Sequence, residues 1–486
     1  MATRQAIFKI INDVSDKNKL PIYIVGGFVR DYLLGTDEKI DFDFVVEGSG
    51  LAFAKLFDEE LKQEGSLVEF PDFDTARYIL GEGDSAVVLE FAGARHEAYD
   101  KSSRKPVVKS ATLQDDLSRR DFTVNSMALP VSVFAKSNKP TPTVLKKNLI
   151  DPFDGRKDLK NKLLRTPLEP DKTFSDDPLR MMRAVRFAAQ LGFGIDVAAL
   201  TSIHKNRERL KIISSERVQE ELIKMMKCGE PSIGLILMFQ TGLLDIVLPE
   251  VSALDGVEEV YGHQHKNNLV HTFKVVDNIS ARSTNPMLRL AGLLHDIGKT
   301  STKKFVPKIG WTFYQHEHVG RKMAKTIARR LHFSNEHSEY LCKLVRWHQQ
   351  PISLMDEGIT DSAVRRLIVN LGEELNDLLI LGRSDITTGN PLKKEKRLKN
   401  YDHLEQRISE VIDKDKLRAF QSPVRGEDIM KLCGLKPGPT VGKIKKAIEE
   451  AILDGIIPNE YEPALEYFHK IKGAYLSKLS EWERST

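Results

Sequence analysis

Cysteine is nearly missing from this chain. Cys228, Cys342 and Cys433 are the three in 486 residues, far apart and without metal-ligand spacing. That excludes a disulfide framework and a cysteine-built zinc module, and it fits a reducing compartment. Long apolar runs are missing too. No stretch is long enough to span a bilayer and no hydrophobic signal stands near the N-terminus, so the expectation is a cytoplasmic protein with no membrane partner. A dominant sign of charge is also absent: Lys plus Arg number 73 against 69 Asp plus Glu, a net +4. This balance is compatible with nucleic acid without arguing for it, so the distribution of charge has to decide. There is no internal repeat and no low-complexity tract.

What remains is an ordinary globular composition, 41% hydrophobic and 29% charged, in a chain long enough for several domains. Residues 5–20 read as an amphipathic helix, and Ile22 to Val25 as a short strand. A Gly-Gly turn, a helix to Leu34, a strand over 40–46 and a helix over 51–63 follow. Strand-like runs at Ser66–Phe70, Arg77–Leu80 and Ala86–Ala92 complete a small mixed unit that ends near "LIDPFDG" (149–155). From about 175 onward the periodicity is helical. In "SDDPLRMMRAVRFAAQLGFG", Ser175 is the expected N-cap, with Asp176 complementing the helix dipole, Pro178 in the first turn and Gly192 as the C-cap. A break near 251–266 reads as a domain boundary, and "GNPLKKEKRLKN" (389–400) as a charged, exposed segment.

The stretch "GGFVRDYLLGTDEKIDFDFVV" (26–46) carries the first chemistry. Residues two apart on a strand face the same way, so Asp41 and Asp43 share one face while Phe42 and Phe44 pack on the other. Two carboxylates about 6.6 Å apart along a strand repel, and oxygen ligands of this kind suit Mg²⁺, which relieves the repulsion and bridges substrate phosphates. Gly26 and Gly27 let backbone N–H groups approach a phosphate, with Arg30 close behind. An isolated D-x-D is more often a solvated edge; the glycines and Arg30–Asp31 reverse those odds.

Further along, Asp177 and Arg180 are three apart and are expected on one helix face. A carboxylate accepts from an exocyclic amino group and a guanidinium donates to ring acceptors, so the pair can accept cytosine and adenine and refuse uracil and guanine. The bland alternative is an exposed ion pair. Arg183 and Arg186 continue the basic face, for phosphate or for plain solvation. Arg119 and Arg120 in "SRRDFTVN" can clamp a triphosphate.

Three stretches, 24–46, "DDLSRRDFTVNSMAL" (115–129) and "FSDDPLRMMRAVRFAAQLGF" (174–193), resemble the motifs of class II tRNA nucleotidyltransferases, the bacterial CCA-adding enzymes and their poly(A) polymerase relatives. The resemblance covers residues 21 to about 225. It implies that Asp41 and Asp43 carry the catalytic metals, with Glu90 either a third carboxylate or a salt-bridged strand residue. It also places Asp121 and Asn125 near the ribose, or in a structural network tying strands to helices. The family usually has Glu where Asp176 stands. "SSERVQEELIKMM" (214–226) matches as well, with Glu216 and Arg217 expected to brace the neck helix.

A second constellation follows. His271, His295–Asp296, His316, His348 and Asp385 stand on successive expected helices, and their order resembles the HD phosphohydrolase domain. Imidazole and carboxylate donors of this kind suit Mn²⁺, Ni²⁺, Co²⁺ or Fe²⁺ in a mono- or binuclear site that activates water against a phosphoester. A degenerate, inactive domain is the alternative. His263, His265 and His318 have no such role. In the tail, a Gly-Pro turn before a helix with Lys443, Lys445 and Lys446 suits an RNA phosphate, or is a solvated amphipathic helix.

The expected architecture is α+β: a polymerase-β-like nucleotidyltransferase head (1–160), a helical neck and body (161–255), an HD domain (256–400) and a helical tail as a candidate tRNA contact (401–486). The expected activity is template-independent addition of C and A from CTP and ATP to the 3′ end of tRNA, with Mg²⁺ at the head. The alternatives are poly(A), A-only or CC-only addition, an HD phosphohydrolase acting on nucleotides or RNA ends, and an RNA-binding protein with both sites inactive. Nothing in the sequence speaks to oligomeric state.

Overall fold

A computed structural model describes residues 4–36, 41–62, 64–83, 86–98, 107–257, 259–260, 263–264, 267–355, 360–415 and 422–477. The chain divides into two compact units, Met1–Ser252 and Ala253–Thr486. Among the described residues no helix is long and apolar enough to cross a membrane.

The first unit is built on a mixed sheet. Its strands are β1 (Ile22–Val25), β2 (Asp41–Val46), β3 (Ser66–Phe70), β4 (Thr75–Leu80), β5 (Val87–Gly93) and, beyond the hairpin β6 (Arg95–Ala98) and β7 (Val107–Ser110), β8 (Ala128–Pro130). The order is β3-β4-β5-β2-β1-β8. β2 and β5 are parallel; the other neighbours are antiparallel. β8 has only three residues, too few to display the two-residue period by which strands are read from sequence.

Alternation along β2 is as expected. Asp41 and Asp43 are exposed while Phe42 and Phe44 are buried; Ile40 lies outside the described residues. The helix Arg4–Asn18 turns Ile7, Phe8, Ile11 and Val14 inward, and Phe8 meets Phe42 edge to face at 5.1 Å. Phe44 stacks on Phe91 of β5 at 5.2 Å. Each buried Phe is worth roughly 1.5–3 kcal/mol. A one-residue slip of β2 would expose two of them and bury two carboxylates, so the apolar face locks the register. That register sets Val25 and Glu90 on either side of Asp43. β1 therefore ends, and the glycine turn begins, beside a catalytic candidate.

The expected helix start at Ser175 is corrected. One helix, Pro170–Asp176, ends there and a second, Leu179–Leu191, begins after Pro178. Asp177 between them is extended, with φ −133° and ψ 98°, because a residue before proline is pushed out of the helical region. Ser175 and Asp176 thus close one helix rather than open the next, and Asp177 is not on a helix face. Gly192 does cap the second helix, at φ 66°.

The second unit is helical apart from small hairpins. Its principal helices include Asn268–Ser280, Pro286–Leu294, His316–Arg330, Asn335–Trp347, Leu375–Ser384 and Pro391–Asp415. The charged run at 391–400 opens the last of these, which continues across residue 400 and turns Tyr401, Leu404, Ile408 and Val411 inward. The tail helices pack around Ile429, Ile444, Ile448 and Phe468.

Candidate active site and metal centre

Twelve of the fourteen head residues singled out from sequence line one cleft of about 450 Å³; Asp41 and Glu90 do not. At its mouth Gly26 has φ 69°, and a Cβ there would lie 3.2 Å from Arg120 Nη1 and 3.4 Å from Asp43 Oδ2. The turn thus brings bare backbone between a carboxylate and a guanidinium, where a phosphate can approach. Asp41 shares the exposed strand face with Asp43. Glu90 stands opposite Asp43 in the parallel register, but its Oε2 accepts from Arg77 Nη2 at 3.1 Å. Among the described residues the three carboxylates do not close into a three-ligand group.

The cleft walls hold eight cationic side chains against three acidic ones, and buried carboxylates behind them do the aiming. Asp116, wholly buried, accepts from Arg119 Nε at 3.0 Å and from Arg120 Nη2 at 3.1 Å. Burial alone would raise its carboxyl; Arg120 and Arg119 outweigh burial and hold it below the ordinary value. Asp121 accepts from Phe122 N at 2.8 Å, Asn125 Nδ2 at 2.9 Å and Arg183 Nε at 2.8 Å. Its carboxyl is held at about 2, burial being overcome by Arg183 and these hydrogen bonds. Arg186 donates to buried Glu221 at 2.5 Å and to Gln190 at 2.6 Å. Neither Arg183 nor Arg186 is a plainly solvated side chain. Arg30, 1% exposed, donates to Asp31 at 2.7 Å and to Asn125 at 2.8 Å, so it braces the turn from inside.

Asp177 and Arg180 meet in the cleft without sharing a helix face. Asp177 Oδ1 accepts from Leu179 N at 3.2 Å, while Arg180 donates to the carbonyls of Arg119 at 2.6 Å and Thr173 at 3.3 Å. Asp116, Glu221, Gln190 and Lys224 went unremarked in the sequence. Asp116 had a visible signal, since it lies three and four residues before the two arginines it holds; Glu221, 35 residues from Arg186, had none. Arg217, read as a brace, lines the cleft, and its Nη1 is buried without a hydrogen-bond partner.

In the second unit all six predicted ligand-type residues converge. His271 Nε2 lies 2.9 Å from Asp385 Oδ1, His295 Nε2 3.3 Å from Asp296 Oδ2, and His316 and His348 Nε2 3.4 and 3.7 Å from Asp296 Oδ1. Two three-ligand groups result, His271–His295–Asp296 and Asp296–His316–His348, joined through Asp296. The imidazoles are oriented from behind. Nδ1 of His295, His316 and His348 each lies 2.7–2.8 Å from the carbonyl three residues earlier, which places the proton on Nδ1 and a lone pair on Nε2. His316 and His348 then aim two Nε2 lone pairs at each other across 3.2 Å, and the buried Nε2 of His295 has no hydrogen-bond partner. Lone pairs so placed need a cation between them, and the mixed N and O donors fit a transition metal. With no cation bound the two carboxylates would instead draw a proton onto His295: burial presses it down, but Asp296 and Asp385 lift it to about 10, so the cluster demands positive charge there, as a proton or as a metal; burial, with His295 beside it, pushes His348 down to about 3. Lys299 Nζ, 2.6 Å from Asp296 Oδ2, supplies part of that charge.

His318 is half exposed beside Glu317, while the side chains of His263 and His265 lie outside the described residues. In the tail, Lys443, Lys445 and Lys446 are exposed on the helix Pro439–Leu453. Lys445 and Lys446 face Glu449 and Glu450 at 3.6 and 3.9 Å, the geometry of weak surface pairs.

Three family models match in sequence: a poly A polymerase head domain over 22–165, a probable RNA- and SrmB-binding site of polymerase A over 192–254, and an HD domain over 269–414. The multifunctional CCA protein of Aliivibrio salmonicida is 34% identical over 68% of this chain and 75% of its own. The CC-adding tRNA nucleotidyltransferase of Thermus thermophilus is 30% identical over 90% and 91%, and the A-adding tRNA nucleotidyltransferase of Deinococcus radiodurans 30% over 70% and 75%. In fold the chain resembles the Bacillus stearothermophilus CCA-adding enzyme in complex with CTP, with a TM-score of 0.66, 21% identity, and 99% and 100% of the two chains covered.

Proposed function

The chain belongs to the family of bacterial tRNA nucleotidyltransferases and poly(A) polymerases, and on that premise we propose that this nucleotidyltransferase adds C and A from CTP and ATP to the 3′ end of tRNA in the cytoplasm, without a template. The observation that carries the reading is the single cleft holding Asp43, the Arg119–Arg120 pair and the Asp177–Arg180 pair together. In each addition the RNA's ribose hydroxyl oxygen bonds to the α-phosphorus, pyrophosphate leaves, and the hydroxyl proton is released. Asp41 and Asp43, oxygen donors on one exposed face, would hold Mg²⁺, which when bound lowers the pKa of the attacking hydroxyl and offsets charge on the leaving group. Arg119 and Arg120, already fixed by Asp116, meet the triphosphate with little ordering left to do. Asp177 accepts from the amino group of cytosine or adenine, and Arg180 donates at the same edge. A uracil or guanine carbonyl there leaves bonds unmade, at roughly 1–3 kcal/mol each.

The test is to sequence the 3′ ends of trimmed tRNA after incubation with each nucleoside triphosphate and with mixtures. CCA ends from CTP plus ATP are expected. Ends that stop at CC with both nucleotides present would establish CC-only addition, the reading favoured by the Thermus relative that spans 90% of this chain.

For the second unit we infer a metal-dependent phosphohydrolase site, supported by the converging Nε2 lone pairs. His271, His295, Asp296 and Asp385 would hold one ion and His316 and His348, with Asp296, a second, with Mn²⁺, Ni²⁺, Co²⁺ or Fe²⁺ preferred over Mg²⁺. The metal when bound makes water a nucleophile towards a phosphoester.

A further inference from the structure

Phe187 lies on the helix Leu179–Leu191, is 6% exposed, and lines the arginine cleft. Three guanidiniums surround its ring. Arg186 Cζ stands 3.9 Å from the ring centroid, Arg30 Cζ 5.1 Å and Arg183 Cζ 5.3 Å. All three fall within the ~6 Å over which a ring face attracts a cation. Arg183 reaches the ring as a neighbour four residues earlier on the same helix. Arg30 comes from the helix Gly27–Leu34, behind the glycine turn. Phe122 meets the ring edge-on at 5.9 Å, which helps to fix its tilt. The ring therefore joins the glycine-turn side of the cleft to its helical side.

Such crowding is unfavourable by itself. Like charges repel, and Arg30 and Arg186 are buried, so water screens them little. Each guanidinium has a carboxylate: Asp31 for Arg30, Asp121 for Arg183 and Glu221 for Arg186. For Arg186, which also donates to Gln190, these partners do not suffice. Burial holds its guanidinium below the ordinary value although Glu221 raises it, and neighbouring Arg183 lowers it further. A buried cation in that position needs another attractive group. The ring 3.9 Å away supplies one, because the face of an aromatic ring carries negative charge density. A leucine there would fill the space and attract none of the three.

We propose that Phe187 is a positioning residue for nucleotide addition, its ring face holding Arg30, Arg183 and Arg186 in one arrangement that receives the triphosphate. The inference rests on the nucleotidyltransferase reading above, but it concerns an aromatic face rather than a charged group or a metal ligand. A hydrocarbon ring takes no part in the bond changes; it acts through the arginines. Without its face, Arg183 and Arg186 have to be ordered as the triphosphate binds, and affinity falls. Any large hydrophobe at this position buries apolar surface, whereas attraction of cations needs an electron-rich ring. That difference makes the role testable.

The full chain is made with mono-, di- and trifluorinated phenylalanine in place of Phe187, a series that drains the ring face stepwise with little change of size. Phe187→Leu and Phe187→Tyr complete the set, and all are assayed well below their melting temperatures. KM for CTP and for ATP on trimmed tRNA should rise stepwise, reaching about tenfold in the trifluorinated protein and in Phe187→Leu. In every variant kcat should stay within about twofold of wild type, and Phe187→Tyr, which keeps the ring, should match wild type in KM as well. Preference for C and A over U and G should be unchanged, since the base edge is read by Asp177 and Arg180. Equilibrium binding of CTP without tRNA gives a readout independent of turnover and should weaken in the same order. A ring that merely packs gives a different pattern, with Phe187→Leu impaired and the fluorinated series flat in KM and in binding. That pattern, or a series that moves kcat alone, overturns the positioning role and leaves nucleotide addition standing. A wild type that neither binds CTP or ATP nor extends tRNA overturns both.

Discussion

The arginine cleft and the histidine cluster gather like groups in opposite ways. In the cleft, cations crowd together but are already held by carboxylates: Arg119 and Arg120 by Asp116, Arg183 by Asp121, Arg186 by Glu221. Those four arginines are fixed before anything binds, while the cleft keeps an excess of positive charge and a buried, unpartnered Arg217 Nη1, as suits a polyanion that must enter and leave at every cycle. In the cluster, Nε2 of buried His316 and His348 face each other at 3.2 Å while their Nδ1 atoms are turned to backbone carbonyls, and Nε2 of His295 has no hydrogen-bond partner. That site is incomplete without a resident cation. The comparison separates a transient ligand from a permanent one by asking whether the charged side chains that face it are already held by partners of opposite charge in the protein alone.

The largest expected effects test whether the two sites are separate machines. Asp43→Ala should lower nucleotide addition by at least ~10²–10³-fold, the range for removing a group that stabilises developing charge, and leave phosphoester hydrolysis intact; Asp41→Ala should behave alike. Near-normal incorporation by either variant with Mg²⁺ present would make these surface carboxylates. Asp296→Ala should do the reverse. It bridges both three-ligand groups, so metal retention measured by mass spectrometry should fall by more than the ~10–100-fold seen for outer-shell changes. Hydrolysis should stop while nucleotide addition continues. Loss of both activities in either variant would end the comparison.

Within the cleft, Asp177→Ala and Asp116→Asn should divide base choice from phosphate binding. Losing one discriminating hydrogen bond is worth roughly 1–3 kcal/mol, so Asp177→Ala should admit UTP or GTP ~10–100-fold more readily in single-nucleotide incorporation. Asp116→Asn touches only the arginines' support. It should raise KM for CTP and ATP alike, by about tenfold for weakened charge-assisted bonds, without admitting the wrong base. An Asp177 variant as strict as wild type would sink the side-chain template.

Local patterns in the sequence were enough for the parts of each site that repeat with the backbone. The alternation of β2 and the glycine turn needed no knowledge of the fold, whereas the histidine order was legible through its resemblance to the HD domain. Contacts closed through space were not legible. Glu221 behind Arg186 and the carbonyls that hold Arg180 join residues with no periodic relation. The Pro178 break was legible in principle, but a proline three residues after a serine reads as a first-turn proline behind an N-cap, so the helix was expected to open at Ser175. The restriction that proline places on Asp177 is what turns that carboxylate into the cleft instead of along a helix face.

The smallest expected effect concerns stability, and it sharpens the claim that carboxylates fix the arginines of the cleft. The Asp121 carboxyl lies at about 2 in the folded protein, below its ordinary 3.8. A carboxyl depressed by folding stabilises the fold fully above its unfolded value and loses that contribution as pH falls through the folded one. Asp121 should therefore contribute roughly 2 kcal/mol at neutral pH, fading between about pH 4 and pH 2. Asp121→Asn should lower the melting temperature of the first unit at pH 7 and make little difference near pH 2, where the wild-type carboxyl is itself becoming protonated. Thermal unfolding of both proteins across that range checks it. If the gap between them stays constant down to pH 2, the charge of the Asp121 carboxylate, and with it the ion pair to Arg183, is not what holds this corner of the cleft.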